Sequence, residues 1–171
     1  VISDGVDGYV SVADVEYDYP KGKINTDKIK LEFENKQQYK SILLNSDFVT
    51  LDYHSNSSYL KAYNHIYNAL KHYLPILYDG ENQDMVEYSS MDNSDDYTAL
   101  TIKAGENINA LIRAIVDDMD VAPNTTFDLR FNPKENALSI RGESEAIEYS
   151  GIILAGLDCS INNNKDRDSL V

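Results

Sequence analysis

Residues 58–78 read SYLKAYNHIYNALKHYLPILY, and their spacing predicts a helix around which the fold is organised. Apolar and aromatic side chains recur there every three or four residues, which is typical of a single buried stripe. The members of this stripe are Tyr59, Leu60, Tyr63, Ile66, Tyr67, Leu70, Tyr73 and Leu74. The candidate N-caps are Asn56, Ser57 and Ser58, whose side-chain oxygens can accept a hydrogen bond from a free N–H of the first turn. Pro75 ends the helix, because a proline disfavours helical geometry in the residue before it.

Alternation of apolar and polar side chains on both sides of this helix predicts strands. The predicted strands are 9–19, 28–34, 48–53, 97–104, 127–132 and 138–140. The turn signal Pro20-Lys21-Gly22-Lys23 joins the first two strands. The loop at 132–136 joins the last two. Each pair is therefore expected to form a β-hairpin.

Three further helices are predicted from spacing and capping signals. Residues 35–44 form a short helix capped by Asn35, with Tyr39, Ile42 and Leu43 facing inward. Residues 106–120 place apolar side chains at helical intervals from Ile108 to Met119. Ser144 caps a last helix that runs from about 145 to 157.

The predicted elements give an α+β fold in which three to four helices cover a mixed, mostly antiparallel sheet. The element order is roughly ββαβα, an acidic loop, and βαββα. Residues 1–171 are expected to form one domain. Within it, subdomains at 9–78 and 97–158 are an alternative, with the acidic loop 79–96 between them. Residues 159–171 are expected to be a flexible tail.

The chain is strongly acidic, with a net charge of −14. This charge argues against a general nucleic-acid binder, because phosphate binding needs a local density of cations. It favours fast association with a basic partner. The charge is also uneven, since 21–72 carry eight lysines against five acids whereas 73–102 carry seven acids and no base. Abundant Asn, Lys and Tyr without Trp suggest an AT-rich genome, such as that of a phage or mobile element.

The compartment is inferred from three signals in the sequence. The single cysteine, Cys159, excludes an intrachain disulfide, which fits a reducing environment. No apolar run reaches the roughly 18 residues of a membrane span. The start, VISDGVDGYV, lacks the features of a signal peptide. We therefore expect a cytoplasmic protein, in a bacterial host or a virus-infected cell, that does not contact membranes.

No motif for catalysis is present, which predicts a non-enzymatic protein without cofactor or metal. The chain lacks a Gly-rich phosphate loop and a G-x-S-x-G motif, and its three histidines lack the HxxxH spacing of a metal site. Asp92-x-Ser94-x-Asp96 matches the start of a calcium loop in spacing, but Tyr97 and Lys103 stand where its glycine and glutamate belong. Divalent-ion binding by the acidic loop is left open. Asp117, Asp118 and Asp120, at the C-terminal end of the 106–120 helix, are the only residues that suggest a metal enzyme.

The leading hypothesis is an interaction protein, similar in kind to inhibitors or immunity proteins, that binds a basic protein surface. Carboxylates would steer the partner, and tyrosines would anchor it, because tyrosine is enriched at interfaces. The acidic residues assigned to this surface are Asp79, Glu81, Asp84, Glu87, Asp92, Asp95, Asp96, Asp117, Asp118 and Asp120. The assigned tyrosine anchors are Tyr59, Tyr78 and Tyr88.

Two other functions are kept as alternatives. The basic segment 21–72 could bind nucleic acid through Lys21, Lys23, Lys28, Lys30, Lys61 and Lys71. The chain could instead be a structural, self-assembling component of a virion, a homo-oligomer with tyrosines at its subunit contacts. A simpler use is expected for four basic residues of the opening helix, which is to neutralise carboxylates of the chain itself: Lys61, His65, Lys71 and His72.

Overall fold

The structure is a computed structural model that describes residues 7–20, 22–36, 39–73, 95–135, 137–164 and 167–170. This part of the chain forms ten strands and two helices. The strands are β1 Gly8–Tyr19, β2 Gly22–Lys36, β3 Tyr39–Asn45, β4 Val49–Ser55, β5 Thr98–Ala104, β6 Met119–Val121, β7 Thr126–Asn132, β8 Ala137–Tyr149, β9 Ile152–Asn164 and β10 Arg167–Leu170. The helices are α1 Tyr59–Tyr73 and α2 Ile108–Ile115.

All ten strands belong to one antiparallel sheet with the order β1-β2-β3-β4-β5-β7-β8-β9-β10, and β6 pairs with β8. Strands that follow each other in the chain are neighbours, with α1 inserted between β4 and β5 and α2 with β6 inserted between β5 and β7. The described part of the chain is mostly antiparallel β, with 65% strand and 15% helix. The predicted α+β class, with a sheet covered by three to four helices, is therefore wrong.

The register of the sheet aligns apolar side chains in one continuous row across seven strands. Residues directly opposite each other in neighbouring strands share a face. The row is Phe33, Ile42, Tyr53, Leu100, Leu129, Ile140 and Ile161. The next row along the strands is largely polar, because side chains one residue away point to the other face. It includes Asp52, Thr101, Asp128, Arg141 and Ser160.

The first predicted helix that the structure overturns is 35–44. Asn35 lies inside β2 and is buried, and Tyr39–Asn45 is the strand β3. Ile42 faces Phe33 and Tyr53, whereas Leu43 lies opposite Glu32 and Asp52 on the polar face. A short apolar run fits helical and extended spacing equally well, and two neighbouring strands decide in favour of the strand.

The predicted helix at 145–157 is also wrong, because β8 and β9 form a long hairpin there. Ser150 and Gly151 connect the strands and have φ values of 50° and 77°. Positive φ at both central residues is the geometry that the twist of a tight hairpin favours. Ser144, predicted as a helix cap, is buried, and its hydroxyl donates to the carbonyl of Ala146 at 3.0 Å. The predicted tail begins inside β9, which continues to Asn164 and pairs with β10.

Helix α1 confirms the helix predicted from 58 onward and covers the centre of the sheet. Ser58 caps it, because the N–H of Lys61 donates to the Ser58 hydroxyl at 3.3 Å. Ile66 and Leu70 pack against a buried cluster made of Leu129, Phe131, Leu138 and Ile140. Two members of the predicted buried stripe are exposed instead, Leu60 at 71% and Tyr63 at 63%. The buried face of α1 is therefore narrower than its apolar spacing implies.

Helix α2 is shorter than predicted and ends at Ile115, before the aspartates that follow. Carboxylates are unfavourable at the negative C-terminal end of a helix. Ile108 packs with Ala104 and Val121 in a second buried cluster. Met119, predicted to continue the helix, is the first residue of β6. In the described part of the chain, neither helix has the length and apolar character needed to cross a membrane.

Candidate functional site

An open cleft of about 830 Å³ lies where α2 and β6 meet the ends of two hairpins. The hairpin β1–β2 extends beyond β3, since β3 ends at Asn45 opposite Lys30. The hairpin β8–β9 likewise extends beyond β7. The cleft is lined by Tyr19, Arg113, Asp117, Asp118, Met119, Asp120, Glu148, Ser150 and Gly151. We refer to it as the acidic cleft.

The acidic wall is built by the turn between α2 and β6. Val116 is already extended, and Asp118 has a φ of 56°. Aspartate tolerates this left-handed geometry better than most side chains. The turn lets β6 pair with the end of β8, and this register places Asp120 directly opposite Glu148. Like charges at opposed positions destabilise a strand pair, so the cleft concentrates negative charge at a cost to stability.

Arg113 offsets part of this repulsion from the last turn of α2. Its guanidinium donates from Nε to Asp120 Oδ1 at 2.7 Å and from Nη2 to Asp120 Oδ2 at 2.6 Å. The hydrogen bond from Arg113 lowers the pKa of Asp120, and the same bond raises the pKa of Arg113. Both of these hydrogen bonds go to Asp120, and Asp117, Asp118 and Glu148 also line the cleft. The lining residues therefore comprise four carboxylates and one guanidinium.

Tyr19, at the end of β1, also lines the cleft. Tyr19 pairs with Gly22 across the hairpin. A Cβ atom at Gly22 would lie 3.1 Å from the Tyr19 hydroxyl oxygen, so the small residue leaves room for the ring. Tyr19 and Met119 give the cleft apolar and aromatic surface beside its carboxylates. Such a surface suits the alkyl stem of a lysine or the flat guanidinium of an arginine.

The structure brings together only part of the predicted acidic surface. Asp117, Asp118 and Asp120 line the acidic cleft. Asp95 and Asp96 precede β5, whereas the cleft follows its other end, and a seven-residue strand spans about 20 Å. The predicted residues Tyr78, Asp79, Glu81, Asp84, Glu87, Tyr88 and Asp92 lie outside the described residues.

Tyr59, predicted as a partner anchor, belongs to the packing of α1. It is half-buried, and its ring centroid lies 5.7 Å from that of Tyr53. Its hydroxyl donates to the carbonyl of Glu34 at 3.3 Å. Burial raises the pKa of the Tyr59 hydroxyl. These contacts attach the start of the helix to the sheet.

Most of the predicted nucleic-acid contacts that the structure describes form ion pairs within the chain. Lys23 contacts Glu16, and Lys30 contacts Glu32. Lys61 lies 2.6 Å from Asp96, which confirms that this lysine neutralises a carboxylate of the chain itself. Lys28 lines a smaller cleft at the β2–β3 end, and Lys71 lies in α1. Lys21 is outside the described residues. Internal pairing lowers the local cation density that phosphate binding needs.

A hydrogen-bonded chain of three polar side chains lies on the polar face of the sheet. The hydroxyl of Tyr39 is 2.8 Å from His54 Nδ1, and His54 Nε2 is 2.6 Å from Asp52 Oδ1. A hydroxyl, an imidazole and a carboxylate in this order resemble a nucleophile, a base and its orienting group. The residues stand on strands β3 and β4, and they line neither of the two clefts described above. The contact between Tyr39 and His54 joins β3 to β4 on this face.

Two further results bear on the chemistry of the site. Within the described ranges, no group of three or more His, Cys, Asp and Glu side chains is arranged to hold a metal ion. Comparisons with protein-family models, with curated proteins and with solved structures find no match for this chain.

Sequence reasoning missed six residues of the acidic cleft: Tyr19, Arg113, Met119, Glu148, Ser150 and Gly151. Glu148 was hidden by the wrong assignment of 145–157 as a helix. The signal that could have found it is Ser150-Gly151, because a Ser-Gly pair between two apolar runs marks a turn. A hairpin at that point makes residues 144–149 a strand and places Glu148 close to its end.

Proposed function

We propose that this chain is a non-enzymatic interaction protein whose acidic cleft binds a basic segment of a partner protein. The observation that carries this proposal is the opposition of Asp120 and Glu148 in the β6–β8 pair, with Asp117 and Asp118 beside them and one arginine among them. A cluster of carboxylates that costs stability fits a surface selected for binding. A basic segment would relieve the repulsion.

The cleft has the size and the surface that such a segment needs. Its volume of about 830 Å³ admits several side chains. Tyr19 offers an aromatic face to a cation, and Met119 offers an adaptable apolar contact. Arginine is the favoured ligand, because its planar guanidinium can pair with a carboxylate at two points and stack on an aromatic ring. The net charge of −14 would steer such a partner towards the protein.

The proposal can be tested before the partner is known, with a short arginine-rich peptide as the probe. A peptide of alternating Arg and Gly is titrated into the ¹⁵N-labelled protein, and backbone NMR shifts are followed. We expect the largest shifts at Tyr19, at 117–120 and at 148–151. Raising the salt should weaken binding, because the Debye length falls from about 10 Å at 0.1 M to about 3 Å at 1 M.

Two charge-matched variants separate the cleft from the overall charge. Asp118→Asn with Glu148→Gln removes two carboxylates from the cleft, and asparagine tolerates the positive φ at 118. Asp95→Asn with Glu135→Gln removes two carboxylates that do not line it. The first variant should lose most of the affinity, and the second should lose little. Equal losses of affinity in the two variants would show that binding depends only on net charge. Backbone NMR shifts centred away from the cleft would also overturn the proposal.

The same variants apply to the natural partner. Capture from cells with tagged wild-type protein, followed by mass spectrometry, should recover a basic protein. The cleft variant should fail to capture it, whereas the Asp95 and Glu135 variant should retain it. Recovery of the same partner by both variants would contradict the assignment of the cleft.

A further inference from the structure

The sheet ends in two outer strands, β1 on one side and β9 with β10 on the other. β10 pairs with β9 only from Ile161 to Asn164. Among the described residues, no strand pairs with the outer edge of β9 from 152 to 160. An edge of this kind presents backbone N–H and C=O groups that can pair with a strand from another chain.

The two edges differ in how well they resist such pairing. The second half of β1 carries Asp14, Glu16 and Asp18, and charged side chains on an edge strand oppose pairing with another chain. The first six residues of β9, IILAGL, carry no charge and no proline. Each strand has one residue with positive φ, Asp14 at 52° and Gly156 at 64°. The first half of β1, Gly8 to Ala13, is uncharged as well, so the two edges differ in charge only beyond residue 13 of β1.

The open part of β9 begins with three consecutive exposed aliphatic side chains, whereas the exposed apolar side chains of β1 are Tyr9, Val10, Val12 and Tyr17. Ile152 is 66% exposed, Ile153 62% and Leu154 53%. Neighbouring exposed apolar side chains of this size mark an interaction surface rather than an ordinary solvated strand. A basic partner is a poor occupant, because Asp158 is the single acid of this segment. An uncharged strand is the occupant that its chemistry suits.

A second copy of the chain provides such a strand with matching length and charge. The segment 152–158 is bounded at one end by the turn at Ser150 and Gly151 and at the other by the stretch that β10 covers. Antiparallel pairing about a two-fold axis at Ala155 would place Ile153 opposite Leu157 and Asp158 opposite Ile152. No like charges would face each other.

We propose that β9 pairs through residues 152–158 with the same segment of a second copy, joining two sheets edge to edge around a two-fold axis. A two-fold contact uses the same surface on both copies, so it closes as a dimer and does not continue into a fibre. The contact involves one seven-residue strand from each copy, so we expect a weak dimer that forms in the micromolar concentration range.

The single cysteine allows the geometry to be measured without changing the sequence. Cys159 is exposed, and a nitroxide label attached there would lie four residues from the proposed axis. Two such positions in antiparallel strands are separated by eight residue steps, or about 27 Å between Cα atoms. Pulsed electron–electron spin resonance on labelled protein should give a peak near this distance. Light scattering on unlabelled protein should give the mass of a dimer.

One substitution on each edge identifies the strand involved. Leu154→Lys would place two lysines close together across the axis, so it should give a monomer and remove the distance peak. Val12→Lys makes a matched change on β1, where the side chain is 47% exposed, and should leave the dimer intact. Thermal unfolding of both variants checks that they fold. A wild-type monomer up to about 200 μM, a distance far from 27 Å, or a dimer lost only in Val12→Lys would overturn the proposal.

Discussion

Asp120 lies directly opposite Glu148 in the β6–β8 pair, and Arg113 donates two hydrogen bonds to the Asp120 carboxylate at 2.6 and 2.7 Å. The arrangement joins the last turn of α2 to β6. It also places one cation inside a cleft that is otherwise acidic. The pKa of the Asp120 carboxyl therefore shows whether the Arg113–Asp120 pair is intact.

Replacing Arg113 with methionine should raise the pKa of Asp120. The hydrogen bond from the guanidinium is the main cause of the lowered pKa, and its loss leaves Asp120 facing Glu148 without a cation. Carboxyl ¹³C shifts recorded across an acid titration measure this pKa. Arg141→Met removes a guanidinium that contacts Glu143 and should leave the Asp120 titration unchanged. An unaltered titration in the Arg113 variant would contradict the pairing.

Stability in acid should depend on Asp47, which links three elements. Burial alone would raise the pKa of Asp47, but hydrogen bonds from Thr26 and Asn107 outweigh it and hold the pKa below its ordinary value. A lowered folded pKa stabilises the protein at pH values above the unfolded pKa of about 3.9. This contribution disappears as the pH falls through the folded pKa.

Asp47→Asn should lower the free energy of unfolding at neutral pH by about 1.5–3 kcal/mol, the range for hydrogen bonds to a charged group. The difference from wild type should shrink as the solution is acidified below about pH 4. Urea unfolding at a series of pH values measures both effects. The matched control is Asp27→Asn, an exposed aspartate of β2, which should change stability little at any pH. A constant difference across the pH range would refute the role given to the Asp47 charge.

Gly105 should not tolerate a side chain, because it lies against the backbone of the β3–β4 turn. A Cβ atom at this position would be 2.2 Å from the carbonyl oxygen of Asp47 and 2.8 Å from its carbonyl carbon. The Gly105 N–H also donates to the carbonyl of Phe48 at 2.7 Å. Gly105→Ala should therefore separate β5 and α2 from that turn and cost about 3 kcal/mol or more.

Gly151 provides the control for backbone flexibility. It has a φ of 77°, and a Cβ there would meet nothing within 4 Å. Gly151→Asn should cost no more than about 1–2 kcal/mol, the penalty of the left-handed region that asparagine partly avoids. Denaturant unfolding compares the two variants. Equal free energies of unfolding for Gly105→Ala and Gly151→Asn would show that a side chain at position 105 does not clash with Asp47.

Leu138 and Leu60 should respond differently to the same substitution. Leu138 is 1% exposed in the cluster beneath α1, whereas Leu60 is 71% exposed on that helix. Leu138→Ala should destabilise the protein by about 2–5 kcal/mol through lost burial and the cavity that remains. Leu60→Ala should change stability by less than about 0.5 kcal/mol. A large loss of stability in Leu60→Ala would contradict the structure, because it would mean that Leu60 is buried as the apolar spacing of the helix predicts.

Local sequence patterns predicted the correct element where the pattern fitted only one kind of secondary structure. The strands β1, β2, β4, β5 and β7 and the start of α1 follow from alternation and from the Ser58 cap. Local patterns predicted the wrong element where a short apolar run fitted both helical and extended spacing. Residues 39–45 became β3 because β2 and β4 supply partners on both sides. The β8–β9 hairpin depends on positive φ at Ser150 and Gly151, which helical spacing cannot reveal.

The sequence by itself determined the sign and the size of the charge, the alternation that makes strands, and the helical register of residues 59–73. The tertiary structure alone decided which charges meet. Tyr19, Asp118 and Glu148 are far apart in the chain and line one cleft because two long hairpins extend to the same end of α2. The register of the three-residue strand β6 against β8 places Asp120 directly opposite Glu148. Register is set by the pairing of whole strands and by the turns that join them, so the tertiary structure decides which of these charges meet.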